Sequence, residues 1–195
     1  MPSYAEITRH SDPDPDLDPW VGDRPEEAPI EIVAYDPQWP QRFEKLAARL
    51  RSTLGAAALE IDHVGSTAVE GPAAKDVIDI DLIVADPRAE DTYVPLLEPL
   101  GYVHIVREPS FHEHRMLRLD DPRAHLHVFG PDCPETIRHR MFRDWLRTHP
   151  DDRALYEAAK RSAVSGGGRM TDYNTRKQPV IRVIYDRAFR AAGMR

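Results

Sequence analysis

The segment VIDIDLIV, residues 77–84, constrains the fold of this chain more than any other. Its branched aliphatic residues predict a β-strand, in which successive side chains point to opposite faces of the sheet, so that Asp79 and Asp81 share one face. The opposite face is an unbroken aliphatic row that should face the core, formed by Ile78, Ile80, Leu82 and Val84. Two neighbouring carboxylates on a buried strand repel each other and are costly to bury, and a shared divalent cation is the usual remedy. The strand therefore predicts a metal site on one face of a sheet.

A turn with phosphate-binding features precedes this strand. Gly65 permits a tight turn and lets a ligand approach the backbone closely. Ser66 and Thr67 are predicted to cap a short helix whose free N–H groups would bind an anion. Lys75 would add a contact to phosphate. A phosphate chain bound at this turn would lie beside a cation held by the two aspartates.

The remaining hydrophobic pattern predicts an α/β or α+β protein with a helical C-terminal region. A helix capped at Asp36 and Pro37 and ended by Gly55 carries apolar residues on one face, namely Trp39, Phe43, Leu46, Leu50 and Leu54. Strands are predicted at residues 30–35, 58–64, 77–84, 102–106, 113–119 and 124–129. Further helices are predicted at residues 90–100 and in three segments after residue 134, the last of them kinked or restarted at Pro179.

The first 29 residues differ in composition from the rest of the chain. They contain eight acidic residues, two basic residues and six prolines. This composition buries too little apolar surface to fold, so residues 1–29 are predicted to be a disordered acidic tail. Its role would be either solubilisation or competition with nucleic acid for a basic site. Residues 30–195 are predicted to form a single domain, with a sheet core at 30–130 and a helical region at 134–193.

Charge divides that domain into two parts. Residues 30–134 hold 18 acidic and ten basic residues, whereas residues 135–195 hold seven acidic and 14 basic residues. This division suits a metal-bound polyphosphate between the two parts, and it equally suits solvated, arginine-rich helix faces. The single cysteine, Cys133, excludes an internal disulfide and a CxxC zinc site. No apolar run approaches the ~20 residues of a membrane helix and the acidic N-terminus is unlike a signal peptide, so we expect a cytoplasmic protein without a membrane partner.

Several motifs together resemble a known family. Gly-Ser followed by Asp-x-Asp on a strand is similar to the signature of the nucleotidyltransferase superfamily, in which carboxylates bind Mg²⁺ and activate a nucleoside triphosphate. The blocks YDPQWPQRFEKL, HVGSTAVEGPAAKDVIDIDLIV, FRDWLRTHP, LYEAAKR and YNTRK resemble the GrpB family from about Ile30 to the C-terminus. The resemblance implies a nucleotidyltransferase-like mixed β-sheet flanked by helices, without naming a substrate. It assigns Gly65 and Ser66 to the turn, and Asp79 and Asp81 to the metal.

Two departures from the family pattern bear on activity. Glu70 and Asp76 stand where relatives usually have proline, which makes the loop more acidic. Active nucleotidyltransferases commonly use a third carboxylate, on a later strand, to activate the attacking hydroxyl. The later strands of this chain carry histidines instead, namely His104, His112, His114, His125 and His127.

The segment AHLHVF repeats the design of the aspartate strand, because His125 and His127 share one strand face. If the two strands are neighbours, one of these histidines occupies the place of the third carboxylate. His127 could then act as a general base, or both histidines could bind a metal. The alternative is a pair of half-exposed histidines with ordinary hydrogen-bond partners.

The C-terminal helices are rich in basic residues. Arg140, Arg143 and Arg147 recur at helical spacing along one side. Tyr173 and Lys177 are four residues apart, so that Tyr173 could stack on a base while Lys177 contacts phosphate. Salt bridges to nearby aspartates are the alternative for most of these arginines. Arg143 and Lys177 are kept as candidate phosphate ligands because they lie in the family-like blocks.

Three functions agree with these features. The first is binding of a nucleoside triphosphate with Mg²⁺, or alternatively Mn²⁺, and transfer of a nucleotidyl group to a small-molecule or protein hydroxyl. The second is tRNA-dependent aminoacyl transfer that forms cyclic dipeptides, as in some fungal proteins similar to this family. The acidic front half disfavours a large nucleic-acid footprint, so tRNA is the less favoured partner and DNA is not expected. The third is a non-catalytic nucleotide- or metal-binding module.

Overall fold

The structure is a computed structural model and describes residues 1–11, 17–22, 24, 29–165 and 169–195. Its strands are β1 (Glu60–Val64), β2 (Ile78–Ile83), β3 (Val103–Glu108), β4 (His114–Asp120) and β5 (Arg123–Phe129). They form one mixed sheet in the order β1-β2-β5-β4-β3. The central pair, β2 and β5, is parallel, and the other three neighbouring pairs are antiparallel.

The helices flank this sheet and continue beyond it. They are α1 (Tyr4–Thr8), α2 (Trp39–Leu54), α3 (Val94–Leu97), α4 (Pro134–Thr148), α5 (Pro150–Ser165) and α6 (Met170–Ala191). Because α4, α5 and α6 all follow the last strand, the predicted mixed sheet with flanking helices and a helical C-terminal region is confirmed. Within the described residues, no helix is both long and apolar enough to cross a membrane.

Helix α2 covers the core face of the sheet. Its buried side chains are Ala47 and the five predicted from the spacing, Trp39, Phe43, Leu46, Leu50 and Leu54. They pack against the aliphatic row of β2 in the main hydrophobic core, where each large side chain contributes about 1.5–3 kcal/mol by burial. The helix begins at Trp39, three residues after the predicted cap, because Asp36 instead accepts the N–H of Gln38 at 2.9 Å in a preceding turn. Gly55, at φ 54°, ends the helix as predicted.

Three predicted elements need correction. Residues 30–35 form no strand, and their sheet-like pairing is a single bridge between Val33 and Ala74. Residues 90–100 are not one helix but the short helix α3 between two 3₁₀ turns, since Pro95 and Pro99 lack the N–H groups that a continuous helix needs. Helix α6 continues through Pro179 without a restart.

The N-terminal segment is partly ordered, which corrects the prediction of a disordered tail at residues 1–29. Helix α1 places Ile7 in a buried cluster on the aromatic side chains of α6. Arg138 of α4 donates to the carbonyl of Ile7 at 2.9 Å. Further along, Trp20 forms a β-bridge with Val106 at the edge of the sheet. The predicted disorder at residues 12–16, 23 and 25–28 lies outside the described residues.

Glu90 connects the segment before α3 to two strands. Its carboxylate accepts a hydrogen bond from Arg107 of β3 at 2.7 Å and another from Arg115 of β4, which is buried. The hydrogen bond from Arg107, with that from Arg115, outweighs burial and lowers the pKa of Glu90 from 4.5 to about 2. The ionised carboxylate therefore stabilises the folded state.

We expect Glu90 to make stability depend on acid pH. Because its folded pKa lies below the unfolded value, its contribution is complete above pH 4.5 and is lost as the pH falls toward about 2. Glu90→Gln should lower the free energy of unfolding by about 2 kcal/mol at pH 7, and the gap from wild type should close between pH 5 and pH 2. Urea denaturation across this range measures the effect, with the exposed Glu98→Gln as the matched control. A gap that stays constant over this range would contradict the assignment.

Candidate functional site

The parallel pairing of β2 with β5 creates a polar face in the centre of the sheet. In the register, Asp79 lies beside His125 and Asp81 lies beside His127. Because side chains alternate along each strand, all four point away from the main core. The condition under which one of the two histidines would take the place of the third carboxylate, that the histidine strand neighbours the aspartate strand, is therefore met.

Three of these residues form what we call the Asp79 cluster, consisting of Asp79, His125 and His127. Each offers one possible ligand atom, and these atoms all lie within 4.8 Å of one another. Nδ1 of His125 is 3.4 Å from Oδ1 of Asp79. Burial alone would raise the pKa of Asp79, but the hydrogen bond and charge of His125, assisted by His127 and Lys75, lower it to about 2. The cluster thus presents an ionised carboxylate beside two imidazoles, all three of them half-buried.

Asp81 is engaged separately from Asp79. It is 1% exposed, and its two carboxylate oxygens lie 2.9 and 3.1 Å from Nδ1 of His139 on α4. Nε2 of His139 is 3.5 Å from Glu135. Burial would lower the pKa of His139, but Asp81 and then Glu135 raise it well above 6.5. Asp81 and His139 therefore form an ion pair in which Asp81 is buried and His139 is half-buried. Among the described residues, the possible metal ligands grouped with Asp79 are His125 and His127, and Asp81 is not one of them.

His139 was not singled out from the sequence. A signal for it exists, because Glu135 and His139 are four residues apart and lie on one helix face. Its contact with Asp81 joins residues 58 positions apart in the chain, however, and depends on how α4 packs on the sheet. The sequence around His139 does not predict how α4 packs on the sheet.

The Gly65 turn supports Asp79 directly. Gly65 has φ 69° and ψ −166°, a conformation that is essentially restricted to glycine. A Cβ atom at this position would overlap Oδ2 of Asp79 and lie 2.9 Å from its Cβ. The following helix is a single 3₁₀ turn, Ser66–Ala68, without a side-chain cap, so the predicted capping by Ser66 and Thr67 is wrong. The hydroxyl of Ser66 instead lies 3.2 Å from that of Tyr156 on α5.

Thr67 is an internal support of the turn. It is buried, and its hydroxyl donates to the carbonyl of Val77 at 3.1 Å. Since this proton is committed, Thr67 accepts the Nε2–H of His63 at 3.0 Å. Burial lowers the pKa of His63 to about 4, and its neutral ring stacks on Phe43. Thr67 and His63 therefore order the turn.

Two lysines, Lys75 and Lys177, form what we call the lysine pair. Their Nζ atoms lie 5.4 and 4.7 Å from the ring centroid of Tyr173. Burial lowers the pKa of both ammonium groups, that of Lys75 to about 8, while the charge of Asp79 acts in the opposite direction. Tyr173 is 1% exposed, so its ring contacts the lysine pair and is not open for stacking on a base.

The arginine stripe of α4 is bound to the protein itself. Arg143 donates to the carbonyl of His63 at 3.0 Å and lies 2.8 Å from Asp144 and 3.5 Å from Asp62. The other two arginines contact Glu60, Asp62, Asp144 and the carbonyl of Ala68. The alternative, salt bridges to the aspartates near these arginines in the chain, holds for Asp144, whereas Glu60 and Asp62 of β1 were not expected as partners. Arg143 holds the strand end that leads into the Gly65 turn.

These features define a mixed α+β protein with a carboxylate–histidine cluster on one face of its sheet. Its family is shown by comparison with known proteins, because the family model for the GrpB protein matches residues 29–187. The chain belongs to the GrpB family.

Related proteins and a solved structure agree with this membership. The chain is 43% identical over 166 residues to a UPF0157 protein of Halalkalibacterium halodurans, covering 85% of each chain. It is 38% identical over 165 residues to a UPF0157 protein of Streptomyces coelicolor, covering 84% of this chain and 87% of the relative. The crystal structure of GrpB from Enterococcus faecalis superposes with a TM-score of 0.74 at 29% identity, covering 83% of this chain and 99% of that one.

Proposed function

We propose that the protein binds a nucleoside triphosphate together with a divalent cation at the Asp79 cluster and transfers the nucleotidyl group to a hydroxyl acceptor. The observation that carries the proposal is the convergence of three kinds of group on Asp79. The backbone of Gly65 packs against the carboxylate of Asp79, and His125 and His127 lie beside it. The positively charged lysine pair attracts the negative charge of this carboxylate. A cation and a polyanion would both find partners at this one place.

The lysine pair supports binding of the phosphate chain. Burial disfavours both ammonium groups in their charged form, so an anion placed between them would recover part of that cost. A triphosphate carries several negative charges and can contact both groups at once. The backbone at Gly65 is exposed and leaves room for the chain to approach. Lys75 and Lys177 thus remain the proposed phosphate ligands, whereas Arg143 acts by holding the turn.

The donor set limits which cation fits. The resemblance to nucleotidyltransferases implies Mg²⁺, which demands a near-octahedral shell of oxygen ligands. Here one carboxylate and two imidazoles are grouped, and the carboxylate of Asp81 is paired with His139. The described residues therefore fit Mg²⁺ poorly and fit Mn²⁺, which accepts both oxygen and nitrogen ligands, better. Such a cation would polarise a phosphoryl oxygen, and the chain's own contribution is to position the triphosphate and offset its charge.

A second candidate is a non-catalytic module that binds the metal–nucleotide without turnover. It is favoured because β5, the strand beside the aspartates, carries His125 and His127, whereas active nucleotidyltransferases commonly carry a third carboxylate on a later strand. The third reading, tRNA-dependent transfer, gains less support, because the arginine stripe that would contact RNA is bound to the sheet.

Binding is tested by thermal unfolding with Mn²⁺ or Mg²⁺ and each of the four ribonucleoside triphosphates. A ligand at 100 times its Kd should stabilise the protein by about 2.7 kcal/mol, which raises Tm by about 5–10 °C. Asp79→Asn and Lys75→Met should each abolish the shift, whereas Lys45→Met, on the exposed side of α2, should keep it. The absence of any shift in the wild type with every nucleotide would remove the proposal. A variant that changes both Asp79 and Asp81 is unsuitable for this test, because it would also break the ion pair of Asp81 with His139.

Product analysis separates the two candidates. The wild type is incubated with the nucleotide that stabilises it most and with a panel of hydroxyl acceptors, and pyrophosphate release is measured. Release that depends on Asp79 and on an acceptor supports nucleotidyl transfer. Intact nucleotide, bound in proportion to the protein, supports the non-catalytic module.

A further inference from the structure

We propose that Asp79, His125 and His127 form a binding site for a first-row transition-metal ion, which takes Zn²⁺ more tightly than Mn²⁺ and both more tightly than Mg²⁺. The inference names the cation of the site on which the proposed function rests. It does not depend on nucleotide binding, and its test uses metal ions alone.

The chemistry of the donors selects this class of ion. Imidazole nitrogen is a good ligand for Zn²⁺ and other transition ions, whereas Mg²⁺ prefers oxygen. Metal–ligand distances of about 2.0–2.2 Å place ligand atoms up to about 4 Å apart around one ion. The three ligand atoms lie within 4.8 Å of one another, so small side-chain rotations would bring them onto one centre. Two histidines and one carboxylate leave further coordination positions open.

A chain of hydrogen bonds prepares His127 as a ligand. The carboxylate of Glu108 lies 2.7 Å from Nδ1 of His114 and can only accept, so this nitrogen is the donor. A neutral His114 then presents an unprotonated Nε2, which lies 3.0 Å from Nδ1 of His127. Nδ1 of His127 therefore donates, and its lone pair is left on Nε2. A metal-binding histidine usually donates its second ring N–H to an outer-shell acceptor, and for His127 that acceptor is His114, which Glu108 orients.

The neighbouring residues explain why Asp79, His125 and His127, without Asp81, form the proposed metal site. Asp81 is excluded because both of its oxygens face His139. The positive charges of Lys75 and Lys177 interact with Asp79, so the open coordination positions suit an anionic ligand such as phosphate. His127 has one lone pair to give, and a metal that takes it leaves no general base at this residue. The inference thus assigns His127 to the metal and not to proton transfer.

The test measures metal affinity of the full chain after removal of metal by chelation. Zn²⁺ is titrated in competition with a chromophoric chelator, and Mn²⁺ and Mg²⁺ are titrated in turn. We expect one Zn²⁺ per chain, at least 100-fold weaker binding in His125→Asn, His127→Asn and Asp79→Asn, and binding of Mg²⁺ at least 100-fold weaker than that of Mn²⁺. Glu108→Ala, which removes the acceptor behind His114, should weaken Zn²⁺ binding about 10–100-fold. Co²⁺ should give a visible absorption band that the histidine variants lack.

The control is His112→Asn, an exposed histidine outside the Asp79 cluster. It has φ 55°, a conformation that asparagine tolerates, and it should bind Zn²⁺ as the wild type does. Far-UV circular dichroism confirms folding, and the half-buried His125 variant decides the outcome if the His127 variant does not fold. Wild-type Zn²⁺ affinity in His125→Asn, or equal affinity for Mg²⁺ and Mn²⁺, would overturn the inference. Because no nucleotide is present, such a failure would leave the proposed nucleotide binding to be judged by its own titration.

Discussion

Gly65→Ala is expected to destabilise the protein by about 3 kcal/mol and to abolish metal binding at the Asp79 cluster. The new methyl group would overlap Oδ2 of Asp79, and the backbone at φ 69° is itself strained for any residue with a Cβ. Strain at such a backbone position and overpacking each cost about 1–3 kcal/mol. Asp79 must therefore move, and its carboxylate leaves the two histidines. Urea denaturation measures the loss of stability, and Zn²⁺ titration measures the loss of the site.

Gly55→Ala provides the matched control for this change. Gly55 also has a positive φ, of 54°, but a Cβ there would meet no atom within 4 Å. Its replacement therefore reports backbone strain alone, and it should leave Zn²⁺ binding intact. If the two alanine variants lose equal stability and both bind Zn²⁺, the contact between Gly65 and Asp79 is not important for the site.

The central part of the site could be predicted from the sequence because it follows from local periodicity. Alternation along β2 separates Asp79 from the aliphatic row whatever the rest of the chain does. The same alternation pairs His125 with His127. The histidines lie beside the aspartates because β2 pairs in parallel with β5. The sequence does not predict this pairing, so their adjacency could be stated only as a condition.

The predictions that were wrong concern contacts between residues that are distant in the chain. Residues 30–35 alternate in hydrophobicity as a strand does, but a strand must pair with a neighbouring strand along its length. Here the pairing is a single bridge between Val33 and Ala74. Helical spacing correctly put the arginines of α4 on one side, but it carried no information on which surface that side meets. That surface is set by the acidic residues Glu60 and Asp62 of β1, which form salt bridges with Arg140. Of the three basic residues predicted to contact phosphate, Arg143 is therefore set aside, and Lys75 and Lys177 are kept.

The first residues of the chain likewise show what composition alone does not predict. An acidic, proline-rich segment is usually unable to fold alone, yet helix α1 gains its stability from α4 and α6 and not from itself. Arg138 binds the carbonyls of Ile7 and Arg9, and its guanidinium lies 4.4 Å from the ring centroid of Tyr185. Average composition cannot reveal such a docking surface, because the residues that form it are more than 120 positions away.

His139→Leu is expected to be the most destabilising single change at the polar face, by about 3–5 kcal/mol. Asp81 is 1% exposed, and His139 is the group that both of its oxygens contact. Removing His139 leaves the buried carboxylate of Asp81 without compensation, which is far costlier than the pair is worth. Glu135 is affected less, because Arg138 lies 2.9 Å from its carboxylate and stays in place. Urea denaturation at pH 7 measures the loss.

The double variant Asp81→Leu with His139→Leu distinguishes a structural ion pair from a metal site. If Asp81 serves only to pair with His139, replacing both by apolar side chains should recover more than half of the lost stability. Zn²⁺ binding should persist in this double variant, since the Asp79 cluster keeps its three ligands. If Zn²⁺ binding is lost while the fold is kept, Asp81 belongs to the metal site after all, and the ion pair with His139 is a metal-free arrangement of a site with two aspartates.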